Sequence, residues 1–499
     1  MPSGLILAID QGTTNTKALL VDRSGASVFR ASEPVKLILG SQGYVEQDPE
    51  ELCDSVRKVM AECVNYADRS GSLIEGLAIS NQRETGIAWD AKTGQAVGNA
   101  ISWQCARSAD ICKRLETSAE SVRTRTGLPL ATLITAGKWA WLLENDSRAS
   151  ALAAAGMLRL GTVDSWLIHR LTAGRVHATD LSNASRTGLL NLRQLTWDAE
   201  LLQLFGISLE SMPELRSSSG SFGMCVGISG FEGTPILASI GDSHAAMFGH
   251  GQYVPGTVKA TYGTGSSLMA LTHGLAVDTP ILARTIAWSI AGEIQFALEG
   301  NIAMTGSAVQ WVGEFLHLAD PAQEAVALAE SVQDADGAYF IPAMVGLGAP
   351  HWDANARGMI AGLGRSHTAA HLARAAIEAV AYQVADVFLA MEEIGGISFP
   401  ALHADGGATR NGTLMQFQAD ILGRPVLRSI NEELSAIGTS WLAGLALGWW
   451  NDLAEIAALP CMTDEFIPAM KIIDRDRLYT GWKNAVRRAR LRPEAAHER

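Results

Sequence analysis

The chain has 499 residues and a formal charge of −13, from 39 Lys plus Arg against 52 Asp plus Glu, so most of its surface repels nucleic acid and anionic membrane. With 47% hydrophobic but only 18% charged residues and 49 glycines, it has material for two or more α/β domains, which excludes a disordered chain and a small disulfide-stapled scaffold. Any phosphate it binds must be captured by local backbone geometry or by a metal ion. Cys53, Cys63, Cys105, Cys112, Cys225 and Cys461 form no CxxC pair and no zinc-ligand spacing, so a reduced cytoplasm is the expected home.

In chain order, Met1-Pro2-Ser3-Gly4 lacks the basic region of a signal peptide. The strand-length run Leu5–Ile9 then ends at Asp10-Gln11-Gly12-Thr13-Thr14-Asn15-Thr16-Lys17, and Ala18–Asp22 runs apolar again, which predicts a hairpin with a polar, glycine-bearing tip. A helix is expected from Pro49 to about Tyr66, followed by a strand over 76–80 that delivers Asn81-Gln82-Arg83-Glu84-Thr85 at its end. Helices are expected near 137–146 and 162–171, and a strand over 235–240 ends at Gly241-Asp242-Ser243-His244. The opening pattern then returns as Val258–Tyr262, Gly263-Thr264-Gly265-Ser266-Ser267 and Leu268–Leu271, suggesting two domains of related design, 1–250 and 251–499. The second half adds a helix over 367–393, a strand over 401–405, the turn Gly406-Gly407-Ala408 and a helix opening at Asn411. The longest apolar run, Trp441–Trp450, is about half of the roughly 20 residues that span a bilayer.

Short turns of Gly, Thr and Ser present backbone N–H groups and hydroxyls to an anion, so both hairpin tips are candidate phosphate clamps, although the same residues serve ordinary turns. Gly406-Gly407 fits close approach of backbone to a flat ligand. Asp242 is placed as either a helix cap or a catalytic base. Arg83 and Glu84 fit a surface ion pair or a polyhydroxylated substrate, since a guanidinium donates to hydroxyls and a carboxylate accepts from them. The eleven histidines show no HxxxH or HExxH spacing, leaving a histidine metal site unsupported.

These motifs together resemble the FGGY family of carbohydrate kinases, and within it the glycerol kinases. Asp10–Thr14 resembles the first phosphate motif and Asn81–Thr85 the substrate segment; Thr179-Asp180 with Asn183–Thr187 is a further stretch typical of those enzymes. Lys138–Asn145 resembles the first family signature, and Gly358–Leu363 running on to Glu378 the second. The resemblance covers Leu5 to about Trp450.

It implies an α/β protein of two ribonuclease-H-like, actin/hexokinase-type domains flanking a catalytic cleft. It implies ATP and Mg²⁺ as cofactors, a small polyol or sugar as substrate, and a homo-oligomer of two or four copies. Thr13, Thr14, Asn15 and Lys17 would lie along the phosphates with Thr264, while Gly306, Gln310, Gly407 and Asn411 would line the adenosine. Asp10 would hold the metal, usually through water, and Asp242 would be the base.

Arg83, Glu84, Trp103 and Asp242 match the substrate contacts of glycerol kinases, whereas Leu133, Ser243 and Ser267 stand where those enzymes have Tyr, Gln and Phe. The loss of two aromatics and an amide opens one wall of the pocket, so the expectation is a kinase for a C4 or C5 polyol or ketose whose additional hydroxyls reach Ser243 and Ser267. True glycerol kinase is the alternative, and a non-catalytic, ligand-sensing actin-like protein the second alternative. Lys17 replaces an Arg, which keeps the cation and loses the bidentate fork.

Overall fold

The computed structural model describes residues 4–491; Met1–Ser3, read above for the absence of a signal peptide, and the last eight residues lie outside that range. The chain divides into two compact units. One takes residues up to Tyr253 together with His273–Ala297 and Glu433–Cys461; the other takes Val254–Thr272, Leu298–Glu432 and the chain from Met462. Each unit is thus assembled from separated stretches of the chain.

In the first unit a five-stranded sheet has the order Ile236–Gly241, Leu73–Asn81, Gly4–Gln11, Asn15–Asp22, Ser27–Pro34. The expected hairpin is present, with Gly4–Gln11 antiparallel to Asn15–Asp22 and Asp10 opposite Lys17. Leu73–Asn81 and Ile236–Gly241 add on in parallel. Leu5, Leu7 and Ile9 enter a core shared with Leu52, Val56, Val59 and Met60 of the helix Pro49–Ser70. Ile6 and Ala8 point the other way and are buried as well. The helix Leu434–Leu447 packs on the same central strands, and burial on both faces is why the strand reads as an unbroken apolar run.

The second unit repeats the device. Val258–Tyr262 is antiparallel to Ser266–Leu271 and parallel to Leu402–Asp405, which pairs in turn with Val426–Ser429. The 27-residue helix Ala369–Gly395 is capped by Thr368 and His371, and Gly412–Leu422 begins at Asn411, whose Oδ1 accepts from the Leu414 N–H at 2.9 Å. Among the described residues no helix is long and apolar enough to cross a membrane.

Candidate active site

Parallel strands deliver the residues that follow them to one edge of a sheet. In the first unit Asn81 pairs with Gly241, so Arg83 and Asp242 emerge side by side; Arg83 Nε lies 3.5 Å from Asp242 Oδ1. Asp242 opens the helix Asp242–Gly249 behind an N-cap at Gly241, and no side chain caps that helix. Its carboxylate instead accepts from the Ser243 N–H at 2.6 Å. Burial pushes the Asp242 carboxyl up to about 6, with the Arg83 guanidinium pulling it down and the charge of Asp10 pushing it further up. Water still reaches 36% of the side chain, so the group is not sealed in the core.

Glu84 is almost fully buried and takes a left-handed backbone (φ 61°). Arg186 secures it: Nε donates to Glu84 Oε1 at 2.7 Å, with both side chains at most 5% exposed. Trp103 stands 36% exposed beside the phosphate-type turn, donating through Nε1 to Thr13 Oγ1 at 3.0 Å while its N–H donates to Thr85 Oγ1. Leu133 is half-buried on a loop whose carbonyls 132, 133 and 134 all accept from the buried Lys138 ammonium. Lys138 is pushed down to about 8 by burial, while the charge of Glu84 pulls it back up.

The turn itself closes with the Gly12 N–H donating to the Asn15 carbonyl, leaving Thr14 and Asn15 exposed at the tip. Gln47 and Gln82 donate to the Thr13 and Gly12 carbonyls, which occupies those acceptors. Asp10 lies at the base of the turn, its Oδ1 accepting from Ser80 at 2.7 Å; burial raises its carboxyl, against the lowering effects of Ser80 and Lys17. No group of three or more His, Cys, Asp or Glu suited to a metal exists among the described residues. One acid at a hairpin base fits Mg²⁺, which keeps its waters and takes one or two carboxylates with the rest of its ligands from phosphate.

In the second unit the Gly263–Gly265 turn is welded to the start of the helix Gly306–Phe315. The Thr305, Gly306 and Ser307 N–H groups donate to the carbonyls of Thr264, Gly263 and Thr264. A Cβ on Gly306 would stand 2.6 Å from the Gly263 carbonyl, so only glycine allows the approach. Gly406 (φ 96°) is required by the Tyr262 backbone, 2.4 Å from where its Cβ would be, rather than by a flat ligand; open space lies beside Gly407. Gln310 donates to Glu314 one turn on, and Asn411 spends its oxygen on the helix cap. Ser267 Oγ donates to the buried Glu299 carboxylate at 3.2 Å, which uses its proton and leaves its oxygen able to accept.

The profile of the N-terminal domain of the FGGY family of carbohydrate kinases matches residues 5–249, and that of the C-terminal domain residues 258–447. The chain belongs to the FGGY family of carbohydrate kinases. It is 44% identical over 493 residues to the glycerol kinase of Symbiobacterium thermophilum, covering 98% of this chain and 99% of that protein. It is 44% identical over 488 residues to glycerol kinase 2 of Thermotoga maritima, covering 97% and 98%. Among solved structures, Plasmodium falciparum glycerol kinase with ADP superposes with a TM-score of 0.93 at 30% identity over 99% of both chains.

As a member of this family the chain has the two-domain, actin/hexokinase-like α/β fold and is an ATP-dependent kinase of a small polyol or sugar that works with Mg²⁺. Four residues that contact candidate site residues were not singled out from sequence: Ser80 at Asp10, Lys138 at Leu133, Arg186 at Glu84 and Glu433 at Lys17. Lys138 and Arg186 lie inside segments that carry the family resemblance, which was the available signal. Ser80 and Glu433 had none, because their partners are 70 and 416 residues away.

Proposed function

We propose that the chain transfers the γ-phosphoryl group of ATP to a primary hydroxyl of glycerol. The observation that carries this reading is the polar cluster past two adjacent strand ends: Arg83 and Asp242 at 3.5 Å, with Glu84, next in the chain after Arg83, held by Arg186. It offers a donor and an acceptor to vicinal hydroxyls and a carboxylate to the reacting one. Asp242 takes the hydroxyl proton; with a pKa of about 6 it is ionised at neutral pH yet basic enough to accept.

Thr13, Thr14, Asn15 and Lys17 of the first unit receive the phosphates, and Asp10 holds the metal through water. Thr264, Gly306, Gln310, Gly407 and Asn411 of the second unit serve the nucleotide, Asn411 through its Nδ2. Magnesium supplies charge neutralisation on the phosphates; the residues supply in-line positioning, the main requirement of phosphoryl transfer. The six cysteines, all free thiols, accord with action in the cytoplasm, where ATP is available.

What favours glycerol over a longer polyol is the 44% identity of the chain with proteins named glycerol kinase. A C4 or C5 polyol is the second reading, favoured by the half-buried Leu133 where glycerol kinases have a Tyr. Initial rates of ADP formation across C3 to C6 polyols and ketoses separate them: glycerol should give the highest kcat/KM, and a C4 or C5 compound ahead by tenfold would establish the second reading instead.

A further inference from the structure

The helix Leu434–Leu447 begins with two residues that reach separate parts of the candidate site. Glu433, immediately before it and 13% exposed, accepts from Lys17 Nζ through Oε2 at 2.7 Å and from Arg30 Nε through Oε1 at 3.0 Å. Ser435 Oγ donates to the Asp242 carbonyl at 3.0 Å. The helix is locked against Asp242–Gly249 by two glycines. A Cβ on Gly438 would stand 2.0 Å from the Ala245 carbonyl, and one on Gly249 would stand 2.4 Å from the Leu434 carbonyl.

We propose that Glu433 is a positioning residue for phosphoryl transfer: its carboxylate fixes the Lys17 ammonium beside Asp10, and through Ser435 the same helix start ties that cation to Asp242. The proposal rests on the reading of Lys17 as a phosphate-binding residue. A lysine ammonium on a four-carbon stem carries about 2 kcal/mol of rotamer entropy. A carboxylate that meets this cost before the nucleotide arrives raises the fraction of productive encounters.

Neutralising Lys17 outright would defeat the purpose. Arg30 prevents it, since two cations share one carboxylate and the triad keeps a net charge of +1 for the ligand. An ordinary surface ion pair would be worth about 0–1 kcal/mol and would leave catalysis untouched. The low exposure of Glu433, its second cation and the link to Asp242 two residues on separate this case from that one.

A double-mutant cycle in the full chain tests it, reading kcat, glycerol KM and, by calorimetry, the Kd of a non-hydrolysable Mg·ATP analogue. Glu433→Gln should lower kcat about 10- to 100-fold and weaken the analogue several-fold, with glycerol KM unchanged. In the Lys17→Met background the same change should cost less than about twofold, because its only route is gone. Losses that multiply, or a Glu433→Gln enzyme within about twofold of wild type, overturn the proposal. If Lys17→Met itself leaves analogue affinity and kcat intact, the phosphate-binding reading of Lys17 falls, and the proposal with it. Should Glu433→Gln not fold, Glu433→Asp carries the test: the charge stays, the reach shortens, and kcat should drop several-fold at unchanged melting temperature, again only when Lys17 is present.

Discussion

Asp242 is under opposed influences: burial and the charge of Asp10 push its carboxyl up, Arg83 and the Ser243 N–H pull it down, and the balance lies near 6. As the proposed base, it must be ionised to act, so log kcat/KM should be flat above about pH 7 and fall with unit slope below about 6. Asp242→Asn should remove that limb and lower kcat about 10²- to 10⁴-fold while leaving the nucleotide Kd within a few-fold of wild type. A variant that keeps kcat would make the residue a structural element of its helix. The neighbouring Glu84–Arg186 pair carries a stability prediction. With at most 5% exposure on either side, Arg186→Met strands a buried carboxylate and should cost about 3–5 kcal/mol in urea unfolding. Arg83, Glu84 and Asp242 were picked out from the sequence because each lies within a few residues of the end of a strand-length apolar run. Arg186 was not singled out, because the buried acid it serves lies 102 residues away and no local pattern marks the pair.

At the scale of elements, both hairpins and the strands that feed the polar cluster follow from local apolar periodicity, and the structure places them within a few residues of expectation. The helix Leu434–Leu447 did not emerge in this way. It is apolar nearly all round because it packs on four strands and a helix, so its sequence shows length and hydrophobicity without a face. The loop bearing Leu133 is likewise a matter of tertiary packing, since Lys138 holds three of its carbonyls from one buried ammonium. Lys138→Met should therefore raise the polyol KM about tenfold or more while nucleotide affinity is kept. Because burial pushes the Lys138 pKa down to about 8, wild-type polyol KM should climb above pH 8 as the ammonium loses a proton and a donor; the variant should lack that rise. Parallel pH profiles in the two enzymes would show that Lys138 does not shape the substrate wall.

For the molecule as a whole, the charge of −13 means that ATP is met by a repelling surface, so on the proposed reading its capture rests on Lys17, the Gly/Thr turns and Mg²⁺. The recurrence of strand, glycine turn and strand could be read from the sequence, since that pattern is local, and both hairpins are present in the structure. The return of 273–297 and 433–461 to the first unit was not legible, because it depends on pairings and helix packing made across hundreds of residues. The same non-locality hid Glu433, the residue that ties the end of this long excursion to Lys17. Phosphorus NMR of the full chain with glycerol, ATP and Mg²⁺ tests the central claim most directly. A phosphomonoester on the primary carbon should grow one for one with ADP, stop on addition of excess EDTA and resume when Mg²⁺ is restored. ADP accompanied only by inorganic phosphate, or turnover that persists in excess EDTA, would contradict it.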